Sequence, residues 1–393
     1  MVVKPKILQI VCTYPPYKGG IGAVAYNFKK YLKDLYDWSS VVVTPKYQDD
    51  YASDDSKVRF LSSWPRFGNA GFMPGLTKYS EEADVVIFHA PFFGAVEPLL
   101  WQLTFAKKPP KVLVYYHHDA VIDKGLKKYI FKFYNHFIYP WLFKKADRIL
   151  CSSLDFAKNS SLTPIYEKYS DKFREVRFGV NTKDFFPIKD QAILNSFCKK
   201  YDLPIDKPLI SFVGGMDISH YFKGVPVLLR AVKLLREQGV ELGKLMLVGW
   251  GPLAEDYKKL AEELGIADLL CFMVKKMEPA ELNLMYNVSS ANILPSWDTK
   301  GEVFGLVSVE AMATRTPVVT SNIAGVRTVA ENGVSGYLFE PGNERDLADK
   351  IEKIITNKNL AEQMGEAAYQ RMQANFTWEK SVESLKKVID EVL

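Results

Sequence analysis

The sequence predicts an α/β protein of two doubly wound domains, each built on a parallel sheet, that face each other across a cleft. Short runs rich in Val, Ile and Leu alternate with amphipathic stretches at helical spacing along the whole chain. Such continuous apolar runs indicate parallel strands that helices cover on both faces. At 393 residues the chain is too long for one ordinary hydrophobic core, which favours two domains.

The predicted strands and helices alternate in the order expected of this fold class. The first half supplies the strands KILQIVCTY, SSVVVTP, ADVVIFHAP, KVLVYYHH and DRILCSS, with the helix GAVAYNFKKYLKDLY after the first strand. The second half supplies the strands PLISFVGG, KLMLVGWG, LLCFMV, SANILPS and TPVVTS, again separated by helical patterns. Turn residues and prolines interrupt the apolar pattern between the halves, which predicts domains over 1–185 and 186–375. Ligands are expected at the carboxyl ends of the strands.

Composition is that of a soluble globular protein, with 48% apolar and 25% charged residues. The four cysteines lie far apart and lack metal-ligand spacing, so neither a disulfide framework nor a zinc site is expected, and a reducing cytoplasm fits best. The first apolar run is short and leads into two prolines, which indicates a buried strand rather than a signal peptide. Residues 1–180 hold 26 Lys and Arg against 17 Asp and Glu, whereas the remainder holds 25 against 29. The two halves are therefore expected to face different partners.

A glycine cluster precedes the first predicted helix. Gly19, Gly20 and Gly22 leave room for backbone amides to approach an anion at the helix start. A tight strand-to-helix turn is the simpler alternative. A nicotinamide dinucleotide is disfavoured, because no acidic residue follows the second strand to bind a ribose.

A second glycine cluster ends the first strand of the second half. Gly214 and Gly215 follow that strand, and Lys223 stands at the start of the next helix. A lysine at a helix start opposes the helix dipole unless an anion binds there, so Lys223 is a phosphate candidate, the alternative being a solvated side chain. Gly249 ends the neighbouring strand and is expected at the same edge.

Three of the five histidines come at strand ends of the first half. His89 ends one strand, and His117 and His118 follow the next, just before Asp119. All three are therefore expected at the mouth of the cleft. A single histidine at such a place is usually structural, but a His-His-Asp cluster suggests function.

Residues 124–145 form a basic aromatic segment with six lysines, no acidic residue, and Phe, Tyr and Trp between the lysines. Polar residues and a proline interrupt it, so it is not a membrane span. Binding to an anionic membrane surface is one interpretation. A helix that packs on the core and exposes a basic face is the other.

Two glutamates lie in the apolar stretch GEVFGLVSVEAMA. If a helix begins near Gly305, the amides from Phe304 to Val307 converge on one point, which suits a diphosphate. Glu310 then lies about 7 to 8 Å further along the helix axis, where its carboxylate suits two ribose hydroxyls. Glu302 precedes the helix and suits hydroxyls of a sugar. Two solvent-exposed carboxylates are the alternative, which the apolar neighbours disfavour.

These motifs resemble those of the GT-B glycosyltransferases of the retaining family 4 type, which use nucleotide-sugar donors. The resemblance covers nearly the whole chain and is most specific in the block GEVFGLVSVEAMATRTPVVTSNIAGVRTVAENGVSGYLFEPGN. It implies two Rossmann-like domains, the first binding the acceptor and the second the nucleotide sugar. It also implies that a C-terminal helix, residues 376–393, packs back on the first domain.

The resemblance implies a role for each matching residue and requires neither a bound metal nor a cofactor. Glu302 would contact the donor sugar and Glu310 the ribose. The other implied contacts are the amides of Phe304, Gly305 and Leu306 with the diphosphate, Lys223 with the leaving phosphate, the loop of Gly20, Ile21 and Gly22 closing over it, and His117 beside the reacting carbon.

The chain departs from the family pattern at three points. Gly215 stands where an arginine is usual, and the loop before Lys223 is two residues longer, so that leaving-group stabilisation falls to Lys223 and His220. Val303 replaces a glycine between Glu302 and Phe304.

The expected activity is transfer of a hexose, such as mannose or glucose, from a nucleoside diphosphate sugar to a lipid-linked or polysaccharide acceptor, with retention of configuration. The expected location is the cytoplasm or the inner face of the cell membrane. Two alternatives stay open: a glycoside hydrolase or phosphorylase that uses Glu302 and Glu310, and a non-catalytic protein of the same fold that binds a nucleotide sugar or a membrane. No groove-reading motif indicates nucleic acid.

Overall fold

The computed structural model describes residues 4–16, 19–48, 53, 55–67, 69–119, 127–298 and 301–393. The chain divides into two compact units, one ending at Phe178 and including Trp378–Leu393, the other Gly179–Thr377. This division falls a few residues before the boundary predicted from the sequence. The reason is that Val180 donates its amide to the carbonyl of Phe376 at 2.8 Å, and Phe185 packs on Tyr286, so both belong to the second unit.

A seven-stranded parallel sheet organises the first unit. Its strands are β1 (Ile7–Ile10), β2 (Ser40–Pro45), β3 (Val58–Leu61), β6 (Val85–Ala90), β7 (Lys111–Tyr116), β8 (Arg148–Cys151) and β9 (Phe173–Glu175). Two further short strands, β4 (Arg66–Phe67) and β5 (Ala70–Gly71), pair with each other in antiparallel orientation. The order in the large sheet is β3-β2-β1-β6-β7-β8-β9, so the winding direction reverses between β1 and β6.

Helices flank this sheet, and the last helix of the chain is one of them. The helices of the first unit are α1 (Gly20–Tyr36), α2 (Leu76–Glu81), α3 (Val96–Phe105), α4 (Lys127–Phe133), α5 (Tyr139–Lys145), α6 (Leu154–Lys158), α7 (Thr163–Lys168) and α15 (Trp378–Val392), with a π-helical turn Tyr134–Ile138 between α4 and α5. In α15 the residues Val382, Leu385 and Ile389 recur at helical spacing and are fully buried against the core of this unit.

A six-stranded parallel sheet organises the second unit in the order β12-β11-β10-β13-β14-β15. Its strands are β10 (Leu209–Val213), β11 (Lys244–Gly249), β12 (Leu270–Val274), β13 (Ala291–Leu294), β14 (Val318–Ser321) and β15 (Gly336–Phe339). Its helices are α8 (Gln191–Lys200), α9 (Val225–Glu237), α10 (Ala254–Glu263), α11 (Pro279–Val288), α12 (Leu306–Met312), α13 (Glu344–Ile355) and α14 (Lys358–Asn375). The winding direction reverses between β10 and β13, which leaves a crevice at the carboxyl ends of these two strands.

The predicted fold class, two doubly wound α/β domains with parallel sheets, is confirmed. The strands that the sequence did not predict in these sheets, β3, β9 and β15, all lie at sheet edges. No helix within the described ranges is both long enough and apolar enough to cross a lipid bilayer.

Candidate functional site

Lys223 and Glu302, predicted from separate motifs, form an ion pair beyond the ends of β10 and β13. The Nζ of Lys223 lies 2.5 Å from Oε2 of Glu302, and the side chains are only 15% and 10% exposed. The hydroxyl of Ser296 donates to the same carboxylate oxygen at 3.0 Å. The crevice of the second sheet therefore holds two opposite charges, each largely removed from water.

The backbone around Gly224 explains how Lys223 reaches this place. A 3₁₀ turn, Ile218–Lys223, ends at Gly224, whose φ of 74° is a left-handed conformation that favours glycine. A side chain on Gly224 would lie 2.0 Å from the carbonyl oxygen of Pro295, which follows β13. The amide of Trp297 also donates to the carbonyl of Phe222 at 3.0 Å. The turn carrying Lys223 is thus fixed against the segment that leads to Glu302.

His220 occupies the space beside Gly215. A Cβ at position 215 would lie 2.7 Å from Cγ of the His220 ring, so the ring fills the volume in which a side chain would begin. The Nδ1 of His220 lies 2.7 Å from Oδ2 of Asp217. The chain therefore places an imidazole with a carboxylate partner where the family pattern places an arginine.

Gly214 and Gly249 have a packing role that the sequence did not reveal. A side chain on Gly249 would lie 1.9 Å from the carbonyl oxygen of Gly214, and one on Gly214 would lie 2.8 Å from the ring of Phe212. The amide of Gly214 donates to the carbonyl of Val248 at 3.0 Å. Glycine at these two positions lets the ends of β10 and β11 approach closely, whatever ligand binds nearby.

The segment from Glu302 to Leu306 turns into α12 as the sequence predicted, with the helix beginning at Leu306. Gly305 precedes it with a φ of 81°, and a side chain there would lie 2.5 Å from Cδ2 of Leu294. Phe304 is buried against Phe376, and Val303 is buried as well. Val303 does not adopt a positive φ, so this position does not require the usual glycine.

Glu310 lies on α12 and accepts a hydrogen bond from the hydroxyl of Tyr286 on α11 at 3.1 Å. Burial raises the pKa of Glu310 from its usual 4.5 to about 7, although part of the side chain still reaches the surface. The Tyr286 hydroxyl partly offsets this rise, and the negative charge of Asp184 adds to it. Glu310 can therefore change its charge near neutral pH.

In the first unit His117 follows β7 and contacts a second histidine. Its Nε2 lies 2.9 Å from Nδ1 of His89. The sequence placed His89 at the mouth of a cleft, which is wrong: His89 lies inside β6 and has no exposed surface, because the apolar strand continues to Ala90. Burial lowers the pKa of His89 to about 3 and lowers that of His117, so both imidazoles are neutral at pH 7.

Asp119 and His118 make local contacts next to His117. Asp119 is buried and accepts hydrogen bonds from the hydroxyls of Tyr116 at 3.0 Å and Ser161 at 2.6 Å. His118 is half-buried, with Nδ1 3.0 Å from the carbonyl oxygen of Asp119. Asp119 therefore anchors the chain after β7.

Gly20 and Gly22 lie in a helix rather than in the predicted loop, whereas Gly19 precedes the helix in an extended conformation. Gly20, Ile21 and Gly22 form the first turn of α1, closed by a hydrogen bond from the amide of Ala23 to the carbonyl of Gly19. A side chain on Gly22 would lie 2.5 Å from the carbonyl oxygen of Thr13, whereas one on Gly20 would meet nothing within 4 Å. Gly22 is needed for packing, and Gly20 faces open space.

The basic aromatic segment is helical over its described part, residues 127–145; residues 124–126 lie outside the described residues. Its outer side exposes several large apolar side chains, among them Phe133 at 52% and Phe137 at 59%. Tyr139, Leu142 and Phe143 of α5 are buried. The core-packing interpretation is confirmed for α5, while α4 and the π turn expose aromatic rings.

Several contacts of the predicted residues were not predicted. Ser296 donates a hydrogen bond to Glu302, and Tyr286 donates one to Glu310. No local motif marks Ser296 or Tyr286 in the sequence. Gln9 could have been noticed in the sequence, because it is a polar residue within the apolar strand β1. Its Oε1 lies 3.1 Å from Nε2 of His89. Within the described ranges, no group of three or more His, Cys, Asp or Glu residues is arranged to hold a metal ion.

Two family models match the chain. The model described as Glycosyltransferase Family 4 matches residues 18–161, and the model described as Glycosyl transferases group 1 matches residues 196–371. Together they account for most of the chain. The chain belongs to the glycosyltransferases that these two models describe.

Curated relatives are about three tenths identical to this chain over the stretch that aligns. The D-inositol 3-phosphate glycosyltransferase of Corynebacterium diphtheriae is 30% identical over 236 residues, which make up 59% of this chain and 53% of that protein. The protein of the same name from Thermobifida fusca is 31% identical over 252 residues, which make up 61% and 54%. The chain spans about half the length of these curated relatives.

Solved structures share the fold over nearly the whole chain. A glycosyltransferase from Rickettsia africae matches with a TM-score of 0.75 at 22% identity, covering 99% of this chain and 98% of its own. The Anabaena protein HepE in complex with UDP matches with a TM-score of 0.72 at 16% identity, covering 98% and 100%. These likenesses confirm the GT-B fold that the sequence resemblance implied.

Proposed function

We propose that this protein transfers a hexose, such as mannose or glucose, from a nucleoside diphosphate sugar to a lipid-linked or polysaccharide acceptor, with retention of configuration. The observation that carries the proposal is the buried pair of Lys223 and Glu302 at the crevice of the second sheet. Family membership supports it, as does the printed name of the C. diphtheriae relative, a D-inositol 3-phosphate glycosyltransferase. HepE, solved with UDP, is consistent with a nucleotide-based donor.

Each charge of the pair has a function when the donor binds. The ammonium of Lys223 would neutralise the leaving diphosphate, with His220 beside it, and the amides of Phe304 to Leu306 would bind the same group. Glu302 would then accept hydrogen bonds from hydroxyls of the sugar, and Glu310 from the ribose. Without a donor, Lys223 and Glu302 compensate each other, so neither remains as an unpaired buried charge.

The proposed reaction is a front-face displacement. The acceptor oxygen forms a bond to the anomeric carbon on the face from which the phosphate leaves. The bond from that carbon to the phosphate oxygen breaks, and the acceptor proton passes to the departing phosphate. The scheme uses neither a metal nor a cofactor, and it needs water to be excluded, because hydrolysis competes with transfer.

A donor screen with matched variants tests this function. The wild-type protein is incubated with UDP-, GDP- and ADP-hexoses, with and without glycan acceptors, and nucleoside diphosphate release is measured. We expect release that depends on the acceptor, an anomeric configuration retained by NMR, and activity lost in Lys223→Met but kept in Lys233→Met, whose ammonium is in an exposed pair. No release with any donor, together with sugar cleavage that needs Glu302 and Glu310, would favour the hydrolase or phosphorylase alternative.

A second proposal concerns the basic aromatic segment, which we infer binds an anionic membrane surface. Phe133, Phe137 and Trp141 expose more than two fifths of their surfaces, and Lys132 lies among them. Aromatic rings beside lysines suit the boundary between headgroups and acyl chains of an anionic bilayer. Such binding would bring the enzyme to a lipid-linked acceptor.

Vesicle flotation tests the membrane proposal independently of catalysis. We expect the protein to float with vesicles that contain phosphatidylserine, and not with neutral phosphatidylcholine vesicles. Lys128→Glu with Lys132→Glu should abolish flotation. Lys259→Glu with Lys358→Glu, an equal change of charge on the second unit, should not. Flotation that both double variants lose equally would indicate net charge alone and contradict a specific surface.

A further inference from the structure

A line of four hydrogen-bonded side chains crosses the buried sheet of the first unit, from β2 through β1 and β6 to the end of β7. Gln9 Nε2 donates to Ser40 Oγ at 2.9 Å, Gln9 Oε1 lies 3.1 Å from His89 Nε2, and His89 Nδ1 lies 2.9 Å from His117 Nε2. The first three residues have no exposed surface, and His117 is 5% exposed. Polar groups at such depth are costly unless they bond to one another, as these do.

The orientation of the Gln9 amide sets the direction of the hydrogen bonds along this line. Because the Gln9 amide nitrogen donates to Ser40, its oxygen faces His89 and accepts the proton of His89 Nε2. A neutral imidazole carries one N–H, so His89 Nδ1 is an acceptor. His117 must then donate from Nε2, which leaves its Nδ1 without a proton.

The described contacts of His117 lie on its ring faces, at Nε2 and at its backbone amide. The ring packs against Tyr115, with centroids 4.6 Å apart, and stacks on Phe178 at 5.8 Å, while its backbone amide donates to the carbonyl of Ala90. Among the residues that the structure describes, Nδ1 of His117 makes no hydrogen bond. Flat contacts on the ring and a single fixed N–H thus define both the orientation and the tautomer of this histidine.

We propose that Gln9 and His89 are positioning residues that hold His117 as the Nε2–H tautomer, so that its Nδ1 accepts a hydrogen bond from a substrate hydroxyl. This inference rests on the proposed glycosyl transfer for its use, whereas the tautomer rests on the hydrogen bonds of Gln9 and His89. Neither Gln9 nor His89 touches the substrate in this arrangement. In the opposite tautomer His117 would present an N–H at Nδ1 to the same hydroxyl. Its Nε2 would then have no proton to donate to Nδ1 of His89, and that hydrogen bond would be lost.

The tautomer is measured directly by NMR of the full-length protein labelled with ¹⁵N-histidine. In the wild type we expect the signals of His117 to show a protonated Nε2 and a bare Nδ1, unchanged from pH 6 to 8. His89→Phe should remove the fixed tautomer of His117 and lower kcat/KM for the donor about 10- to 100-fold. In His89→Asn, the Oδ1 of the new side chain can accept the proton of His117 Nε2. This variant should restore much of the fixed tautomer and much of kcat/KM.

Tyr115→Phe is the matched control. It removes a buried hydrogen bond, from the Tyr115 hydroxyl to the carbonyl of Val176 at 2.5 Å, next to the same two histidines, and should leave the tautomer and kcat/KM unchanged. Gln9→Met probes the far end of the line and should let His117 populate both tautomers, which covers the case in which His89→Phe does not fold.

Two results would overturn the inference: a proton on Nδ1 of His117 in the wild type, or equal losses of kcat/KM in His89→Phe, His89→Asn and Tyr115→Phe, which indicate packing alone. If no donor is turned over at all, the proposed function fails, while the tautomer measured in the same sample still confirms or refutes the order of the hydrogen bonds.

Discussion

The ion pair of Lys223 and Glu302 should make its two partners interdependent for stability. Removing one partner of a buried pair leaves the other charge uncompensated, at a cost of roughly 3 to 5 kcal/mol. Here 15% and 10% of the side chains remain exposed, and Ser296 still bonds Glu302, so water and that hydroxyl offset part of the cost. We expect Lys223→Met and Glu302→Gln each to lower the free energy of unfolding by about 2 kcal/mol.

The double variant should be more stable than either single one. With neither charge present there is nothing to compensate, and the loss should be about 1 kcal/mol, which gives a coupling energy of about 3 kcal/mol. The matched pair is Lys233 and Glu237 on α9, 2.7 Å apart but 40% and 53% exposed. The same substitutions there should change stability by less than about 0.5 kcal/mol.

Urea unfolding followed by circular dichroism measures these energies, and titration with nucleoside diphosphate sugars measures binding in the same samples. The double variant should be folded and yet lose donor turnover, which separates the role of the site from its effect on stability. Single variants that unfold at the wild-type urea concentration, or a coupling no larger than that of the exposed pair, would refute the burial argument.

Two further predictions follow from the geometry. Because the pKa of Glu310 rises from 4.5 to about 7 on folding, the folded chain binds a proton that the unfolded chain has lost, and stability falls as pH rises through this window. Glu310→Gln should therefore be more stable than the wild type at pH 8, by about 1 to 3 kcal/mol, and equally stable at pH 4. The wild type should bind the donor more tightly as pH rises through 7, because the ionised carboxylate accepts the ribose hydroxyls, and Glu310→Gln should lose this rise. A wild type whose unfolding free energy stays level from pH 5 to 8 would contradict this. Gly22→Ala should cost about 1 to 3 kcal/mol, because its methyl group meets a backbone carbonyl, whereas Gly20→Ala should be neutral or stabilising by about 0.5 kcal/mol. Thermal unfolding of the two variants side by side checks this, and equal melting temperatures would be the contrary result.

The fold could be predicted from the sequence because the central strands of both sheets are continuous apolar runs. A strand such as β6 is buried on both faces, and its five apolar residues keep the pattern clear although His89 lies among them. The three strands that were missed, β3, β9 and β15, have one neighbour each, and at least half of the residues in each are only partly buried. Edge strands need fewer apolar residues, so their sequences do not stand out.

The candidate site could be predicted only in its local parts. The sequence identified Lys223 and Glu302 separately, but their contact joins residues 79 positions apart and depends on the turn at Gly224. Ser296 is a common residue in a loop, and only the fold brings it to Glu302. His89 was misplaced for the same reason, since a histidine near a strand end looks identical in the sequence whether it is exposed or lies within the strand.

The pairing of Lys223 with Glu302 also bears on how the proposed donor would bind. When a diphosphate binds Lys223, the one ammonium has to compensate two anions, the diphosphate and the carboxylate of Glu302. Sugar hydroxyls that reach the carboxylate at the same time would stabilise it. A nucleoside diphosphate without its sugar supplies the first contact and not the second. We therefore expect the sugar to add affinity beyond its own contacts in the wild type, and to add less in Glu302→Gln, where no carboxylate has to be compensated.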